Sequence, residues 1–210
     1  MKREYREVAA TSMKARGALT VASLRAARRV EEMTARYQEL ADDAEVQRAL
    51  EQLGSGANKL GPTPALGRNL KRIQSNDERL LTDKVMGFFG GEEESVFHVE
   101  AIVNDRASAL FAFRPQAEFS LIPEHVLREA GIPYDAEWKL EREVNGVSFR
   151  SNRVVIPSLR LGRFVSANIE AFVLPADTRN LSGFLADNAF PNFRIDVKPG
   201  ESVARLRPTR

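Results

Sequence analysis

The sequence predicts an α+β chain, helical in its first part and strand-rich in its second. Three observations carry that expectation. Residues 1 to about 53 hold no proline and are rich in Ala, Arg, Glu, Leu and Met, the composition of a helix former. Gly90-Gly91 runs into Glu92-Glu93-Glu94, which suits an exposed connection. Beyond it, Phe97, Val99, Ala101 and Val103 alternate with Val96, His98, Glu100 and Ile102, and that period of two belongs to strands. The expected organisation is a helical region over 1–89, a linker over 90–94 and a strand domain over 95–208. A chain of 210 residues has room for both parts and for a sizeable core.

In the helical region, Ala26, Val30, Met33, Tyr37 and Leu40 recur at spacings of four and three. This predicts a narrow apolar seam for another helix. Asp42-Asp43 predicts a break with a capped restart, Val46, Leu50 and Leu53 a short second helix, and Gly54-Ser55-Gly56 its end. Thr63 as cap and Pro64 at the first helical position open a third helix, with Leu66, Leu70, Ile73 and Leu80 on its seam. Such seams do not stay dry alone. A helical hairpin or small bundle is expected, or packing against a partner chain.

Charge is uneven along this region. No acid occurs from Val8 to Val30, where Lys14, Arg16, Arg25, Arg28 and Arg29 form a basic arm. The arm reads first as a solvated or partner-docking face, with contact to a membrane surface left open. Nucleic acid is disfavoured, because the arm has few aromatic residues for stacking. Cysteine is absent and there are two histidines, His98 and His125. Thiolate chemistry is thereby excluded, and neither a metal site nor a cofactor is expected. No apolar run reaches the length of a membrane span and no secretory leader is visible, which leans the expected location toward the cytoplasm.

The strand domain starts with a hairpin turning at Asn104-Asp105 and its return strand Ser108 to Phe113. Then come the loop Arg114-Pro115-Gln116, an apolar strand end at Leu121-Ile122, and a short helix from Pro123 to Ala130 closed by Gly131. Asn145-Gly146 marks a second hairpin, with a return strand from Val147 to Ile156. Further strands are expected from Ala167 to Leu174, Phe193 to Val197 and Val203 to Leu206, with a turn at Pro199-Gly200. His98 reads as a surface strand residue and His125 as solvent-facing.

Residues 109–124, ALFAFRPQAEFSLIPE, resemble the active-site segment of the retropepsin-like aspartic proteases of the bacterial single-domain type. That pattern has a hydrophobic pair, Asp-Thr/Ser-Gly-Ala/Ser, and then a Thr/Ser before two aliphatics and often Pro-Glu. Counting back from Leu121-Ile122-Pro123-Glu124, Ser120 falls on the Thr/Ser and Ala117 on the Ala. Arg114, Pro115 and Gln116 then stand where the catalytic triplet would be. The resemblance extends to the order of later pieces, with a flap-like hairpin at Asn145-Gly146 and Leu181-Ser182-Gly183 at the place of an aliphatic-aliphatic-Gly motif that packs under the catalytic loop. It implies a closed β-barrel with a short helix.

The chemistry of that family needs two carboxylates sharing a proton, one from each of two lobes. Arginine stays protonated and cannot take a proton from water. Pro115 removes a hydroxyl and a backbone donor, and Gln116 replaces a glycine. Neither Glu118 nor Asp105 has the neighbours the chemistry needs. The sequence therefore predicts a pseudoenzyme with no catalytic residue, binding a peptide or protein, or assembling as a homodimer or hetero-assembly through barrel or helices. Two alternatives remain: a residual peptidase with an unrecognised site, and a basic-helix adaptor to nucleic acid or membrane.

Overall fold

The computed structural model describes residues 2–53, 64–82, 84–90, 96–178, 181–197 and 202–208. The expected features at Gly54-Ser55-Gly56, Thr63, Gly91 to Glu94 and Pro199-Gly200 lie outside the described residues. The chain divides into two compact units, one comprising Met1–Val21 with Leu80–Arg210 and the other Ala22–Arg79. Helix α1, Lys2–Asp42, runs through both.

In the unit Ala22–Arg79, α1 ends at Asp42 and α2 spans Ala44–Leu53. Asp43 separates them as expected, its Oδ1 accepting from the amides of Glu45 at 2.8 Å and Val46 at 3.2 Å. These bonds satisfy two of the donors a helix start leaves open. α3 is Pro64–Leu80, with its proline at the first position. The expected seam on α1 is dry only in part. Val30 is buried, while Met33 and Leu40 are 44% and 48% exposed, and α2 contains no buried residue.

In the other unit, β1 (Lys84–Phe89) lies inside the stretch that the sequence reading assigns to helix. Val85 and Phe88 are buried, and the strand is paired along both edges: Gly87 to Phe89 with β2 (Phe97–Val103) and Lys84 to Met86 with β11 (Val203–Pro208). Two ladders outweigh a local pattern too short to show a period. The helical region therefore stops at Leu80 rather than at residue 89.

The barrel follows. β3 is Ala107–Phe113, β4 Ser120–Pro123, α4 Glu124–Ala130, β5 Leu140–Val144, β6 Val147–Ser151, β7 Arg153–Leu161, β8 Phe164–Leu174, β9 Phe184–Leu185 and β10 Phe193–Val197. Strands β2, β3, β9, β4, β8 and β7 pair in that order, and β2–β7 contacts at Ile102–Arg160 and Val103–Leu159 close the ring. Parallel pairs (β3–β9, β4–β8) mix with antiparallel ones. The result is a closed six-stranded mixed barrel with one short helix, as the fold class requires. β1, β11 and β10 continue the sheet outward from β2.

The core is made by the inward side chains of the strands and of α4: Phe111, Ile122, Leu127, Ile156, Leu159, Leu161 and Leu185 are all fully buried. Each such aliphatic or aromatic side chain contributes about 1.5–3 kcal/mol by leaving water. The return strand expected from Val147 to Ile156 is in fact two strands. Between them sits Asn152, buried, whose amide donates to the carbonyls of Asp135 and Glu137 and whose Oδ1 accepts from the Lys139 amide at 3.0 Å. This polar side chain substitutes for ladder bonds, so the strand ends at β6 and a new one begins.

The first half of α1 belongs to the barrel unit. Met13, Thr20 and Val21 are buried, and a Cβ on Gly17 would overlap Glu100 Oε1 and crowd Ser108 Oγ. With no side chain at position 17, the helix lies close against the β2–β3 face, over the Glu100 and Ser108 side chains.

Candidate functional site

Loop 114–119 connects β3 to β4, and the segment Leu181–Leu185 passes beneath it. β9 runs parallel to β3, with Ala112 opposite Phe184 and Phe113 opposite Leu185, and antiparallel to β4, with Leu121 opposite Phe184. The Ala112 amide donates to Gly183 O at 3.2 Å and the Arg114 amide to Leu185 O at 2.8 Å. A Cβ on Gly183 would lie 2.6 Å from Pro123 Cδ, so the crossing is too tight for any side chain. Leu181 is half-buried against the cluster around Leu121 and Phe172, and Ser182 is exposed.

The loop itself is a turn closed by the Ala117 amide donating to Arg114 O at 3.0 Å, with Pro115 and Gln116 exposed at its tip. Ser120 fixes its far end. Fully buried, its hydroxyl donates to Asn188 Oδ1 at 2.8 Å and accepts from the Ala186 amide at 3.0 Å. Asn188 in turn donates to Glu170 O at 3.2 Å. Asn188 was absent from the sequence reading, because an asparagine in a short 3-10 turn, Asp187–Ala189, carries no local pattern.

Opposite the loop stands the β5–β6 hairpin, turning at Asn145 (φ 53°) and Gly146 (φ 76°), the left-handed pair of a tight two-residue turn. Val144 and Phe149 pack on the apolar cluster around Leu121, Phe172 and Phe184. Arg142 lays its guanidinium 4.2 Å from the Phe172 ring centre, close enough for a cation–π attraction of about 0.5–2 kcal/mol. Arg114 spans the gap between the two banks. Its Nη1 donates to Asn145 Oδ1 at 3.0 Å, and its guanidinium lies 5.6 Å from the Phe184 ring centre. Loop and hairpin enclose a groove of about 630 Å³, with Arg114, Glu118, Glu143, Asn145 and Phe184 among its walls.

No protein-family model matches the chain, and no curated protein does. Among solved structures it is similar to a retropepsin-like aspartic protease from Rickettsia conorii, at 13% identity and a TM-score of 0.44, over 58% of this chain and 87% of that one.

The other sequence-predicted residues disperse. His98, expected at the surface, is half-buried and stacked on Phe88 at 5.1 Å. Burial holds its imidazole below the usual pKa. His125 is exposed, and Asp105 pairs with Arg160 at 3.1 Å on the β2–β3 turn. Of the basic arm, Lys14, Arg25, Arg28 and Arg29 are exposed, with Arg28 paired to Glu32. Arg16 is different: it turns onto the barrel unit, donating to Leu80 O at 3.0 Å and approaching Met86 Sδ at 3.0 Å. The arm is thus not one continuous basic face.

Glu100 is a residue that sequence reasoning passed over. Oε1 is buried without a hydrogen-bond partner among the described residues, and burial raises its pKa to about 7 against the opposing pull of Arg16. Among the described residues no group of three or more His, Asp or Glu could hold a metal ion. Likewise, no helix is long and apolar enough to cross a membrane.

Proposed function

We propose that the barrel is a non-catalytic binding module that holds an extended peptide in the groove between loop 114–119 and the β5–β6 hairpin. One observation carries this reading: a permanently charged guanidinium stands at the loop, bonded to the hairpin tip and lying over Phe184. At that position, by the sequence resemblance, hydrolysis would need an acid that shares a proton. Main-chain hydrogen bonding along a strand-like ligand does not need that acid. Val144, Phe119 and Phe184 supply apolar wall, and Arg114 suits a carboxylate of the ligand through its planar fork.

Calorimetry with a set of synthetic extended peptides carrying a central Asp or Glu tests the reading. Binding that falls about tenfold or more in Arg114→Ala is expected. Equal affinity of parent and variant would remove Arg114 from recognition. A second reading, a residual peptidase, draws on Glu118 and Glu143, two carboxylates lining the same groove. Cleavage of a peptide library at acid or neutral pH that is lost in Glu118→Gln or Glu143→Gln would favour it over the first.

A further inference from the structure

Strands β1, β11 and β10 carry the sheet beyond the barrel, and their register gathers charge of one sign on one face. Val85, Ala204 and Leu206 turn inward and are buried. Their neighbours in the alternation, Lys84, Arg205 and Arg207, turn outward and are exposed, and pairing puts Arg194 and Asp196 of β10 on that same outer face. Lys84 stands directly opposite Arg205, and Arg194 directly opposite Arg207. Like charges so placed repel across a sheet and weaken it.

Asp196 offsets this only in part. It takes Arg194 at 3.3 Å and Arg207 at 3.2 Å, so one carboxylate holds two guanidiniums in place and leaves a charge over. Lys84 and Arg205 have no ion pair or side-chain hydrogen bond among the described residues. The face borders a concave space of about 880 Å³, walled also by Phe190, Pro191 and Phe193. Residues on one face of a strand recur about every 6.6–6.8 Å, so Arg205 and Arg207 match carboxylates at alternate positions of an extended segment. Val203, Arg205 and Arg207 on β11, with Arg194 and Asp196 on β10, offer no ring on which a nucleic-acid base could stack. A concave border with a carboxylate at its centre also suits a chain segment better than a flat lipid surface.

We propose that the outer face of β1, β11 and β10 docks an extended acidic segment of a partner protein, whose alternate carboxylates meet Lys84, Arg205 and Arg207. The repulsion built into the free sheet is relieved when those carboxylates arrive. This surface does not include Arg114, so it stands or falls independently of the groove under the hairpin.

The probe is a fluorescein-labelled peptide of alternating Glu and Ser, titrated with the full chain and read by fluorescence anisotropy. The parent should bind it, more weakly as salt rises. Lys84→Glu sets an acid opposite Arg205, so it should weaken binding about tenfold or more and yet raise the melting temperature of the free protein by about 1–4 °C. Arg205→Gln should also weaken binding, by about threefold or more. Arg29→Glu, an equal change of charge at an exposed position of the helical unit, should alter binding less than about twofold, and Arg114→Ala should leave it unchanged. A parent that does not bind the peptide overturns the proposal. So does a loss in Arg29→Glu or Arg114→Ala as large as that in Lys84→Glu, or a Lys84→Glu protein that melts below the parent. Tighter binding of a single-stranded oligonucleotide or of phosphatidylserine vesicles than of the peptide overturns it as well.

Discussion

The barrel and the unit Ala22–Arg79 place their apolar residues differently. In the barrel, side chains far apart in sequence, such as Phe111, Leu159 and Leu185, meet with none of their surface left to water. In the helical unit, Val30 is the buried member of its seam, and Met33, Leu40 and Leu53 remain exposed. The barrel owes its order to long-range burial. The helices owe theirs to local hydrogen bonds, good helix formers and the Asp43 cap. Substitutions should separate the two regimes.

The largest separation is expected from Leu121→Ala against Leu40→Ala. The first deletes a side chain with no exposed surface at the β4–β9 contact and should cost about 2–5 kcal/mol in denaturant unfolding. Leu40 is nearly half exposed, and its loss should cost about 0.5 kcal/mol or less. Similar costs at both sites would mean that the helical seam is covered in solution by something the chain itself does not supply. Next comes Gly183→Ala. The added methyl has Pro123 Cδ at 2.6 Å and the Leu121 carbonyl at 3.0 Å, so loop and β4 must part, at about 1–3 kcal/mol. An unchanged midpoint would show that the crossing under the loop is looser than its geometry implies.

Glu100 probes the seam between α1 and the barrel within one unit. Its pKa is raised from 4.5 to about 7 by burial, so the native state binds the proton more tightly than the unfolded chain. Its stabilising contribution is complete below about 4.5 and is lost as pH rises through about 7. The parent should therefore lose stability relative to Glu100→Gln between pH 5 and pH 8. His98, with its lowered pKa, contributes stability that is lost as pH falls, and subtracting parent from variant cancels it. A flat difference across that range would place Glu100 in water.

How far the sequence carried depends on the range of the signal. The hairpins at Asn104-Asp105 and Asn145-Gly146, the Asp43 break and the α4 end at Gly131 were legible because each rests on a few neighbouring residues with a defined backbone preference. Pro123, expected as the first helical residue, is instead extended and caps a helix that starts at Glu124. β1 was missed because Lys84–Phe89 is strand only by virtue of ladders to residues near 97 and 205. Asn152 and Asn188 were missed for the same reason: each acts through partners that the fold brings to it. The segment 181–185 carried a local signal, but its bonds to Ala112 and Arg114 did not show in the sequence. The charge of Arg114 was plain, and its reach to the opposite hairpin was not.

That reach sets the smallest and most local test. The β5–β6 hairpin pairs with no other strand among the described residues and is held to the barrel by Val144, Phe149, the Arg142 stack, the Ser151 hydroxyl donating to Val173 O at 2.6 Å and the Arg114–Asn145 bond. Asn145→Gly removes the acceptor without adding strain to the left-handed backbone. Global stability should change by less than about 1 kcal/mol, because both partners can turn to water. Amide exchange, in contrast, should quicken in residues 140–151 and stay unchanged in β2, β3 and β8, as befits a hairpin that opens as a unit of its own. If exchange in the hairpin is unaltered, the apolar contacts hold it without Arg114, and a ligand carboxylate could take the guanidinium without lifting the lid.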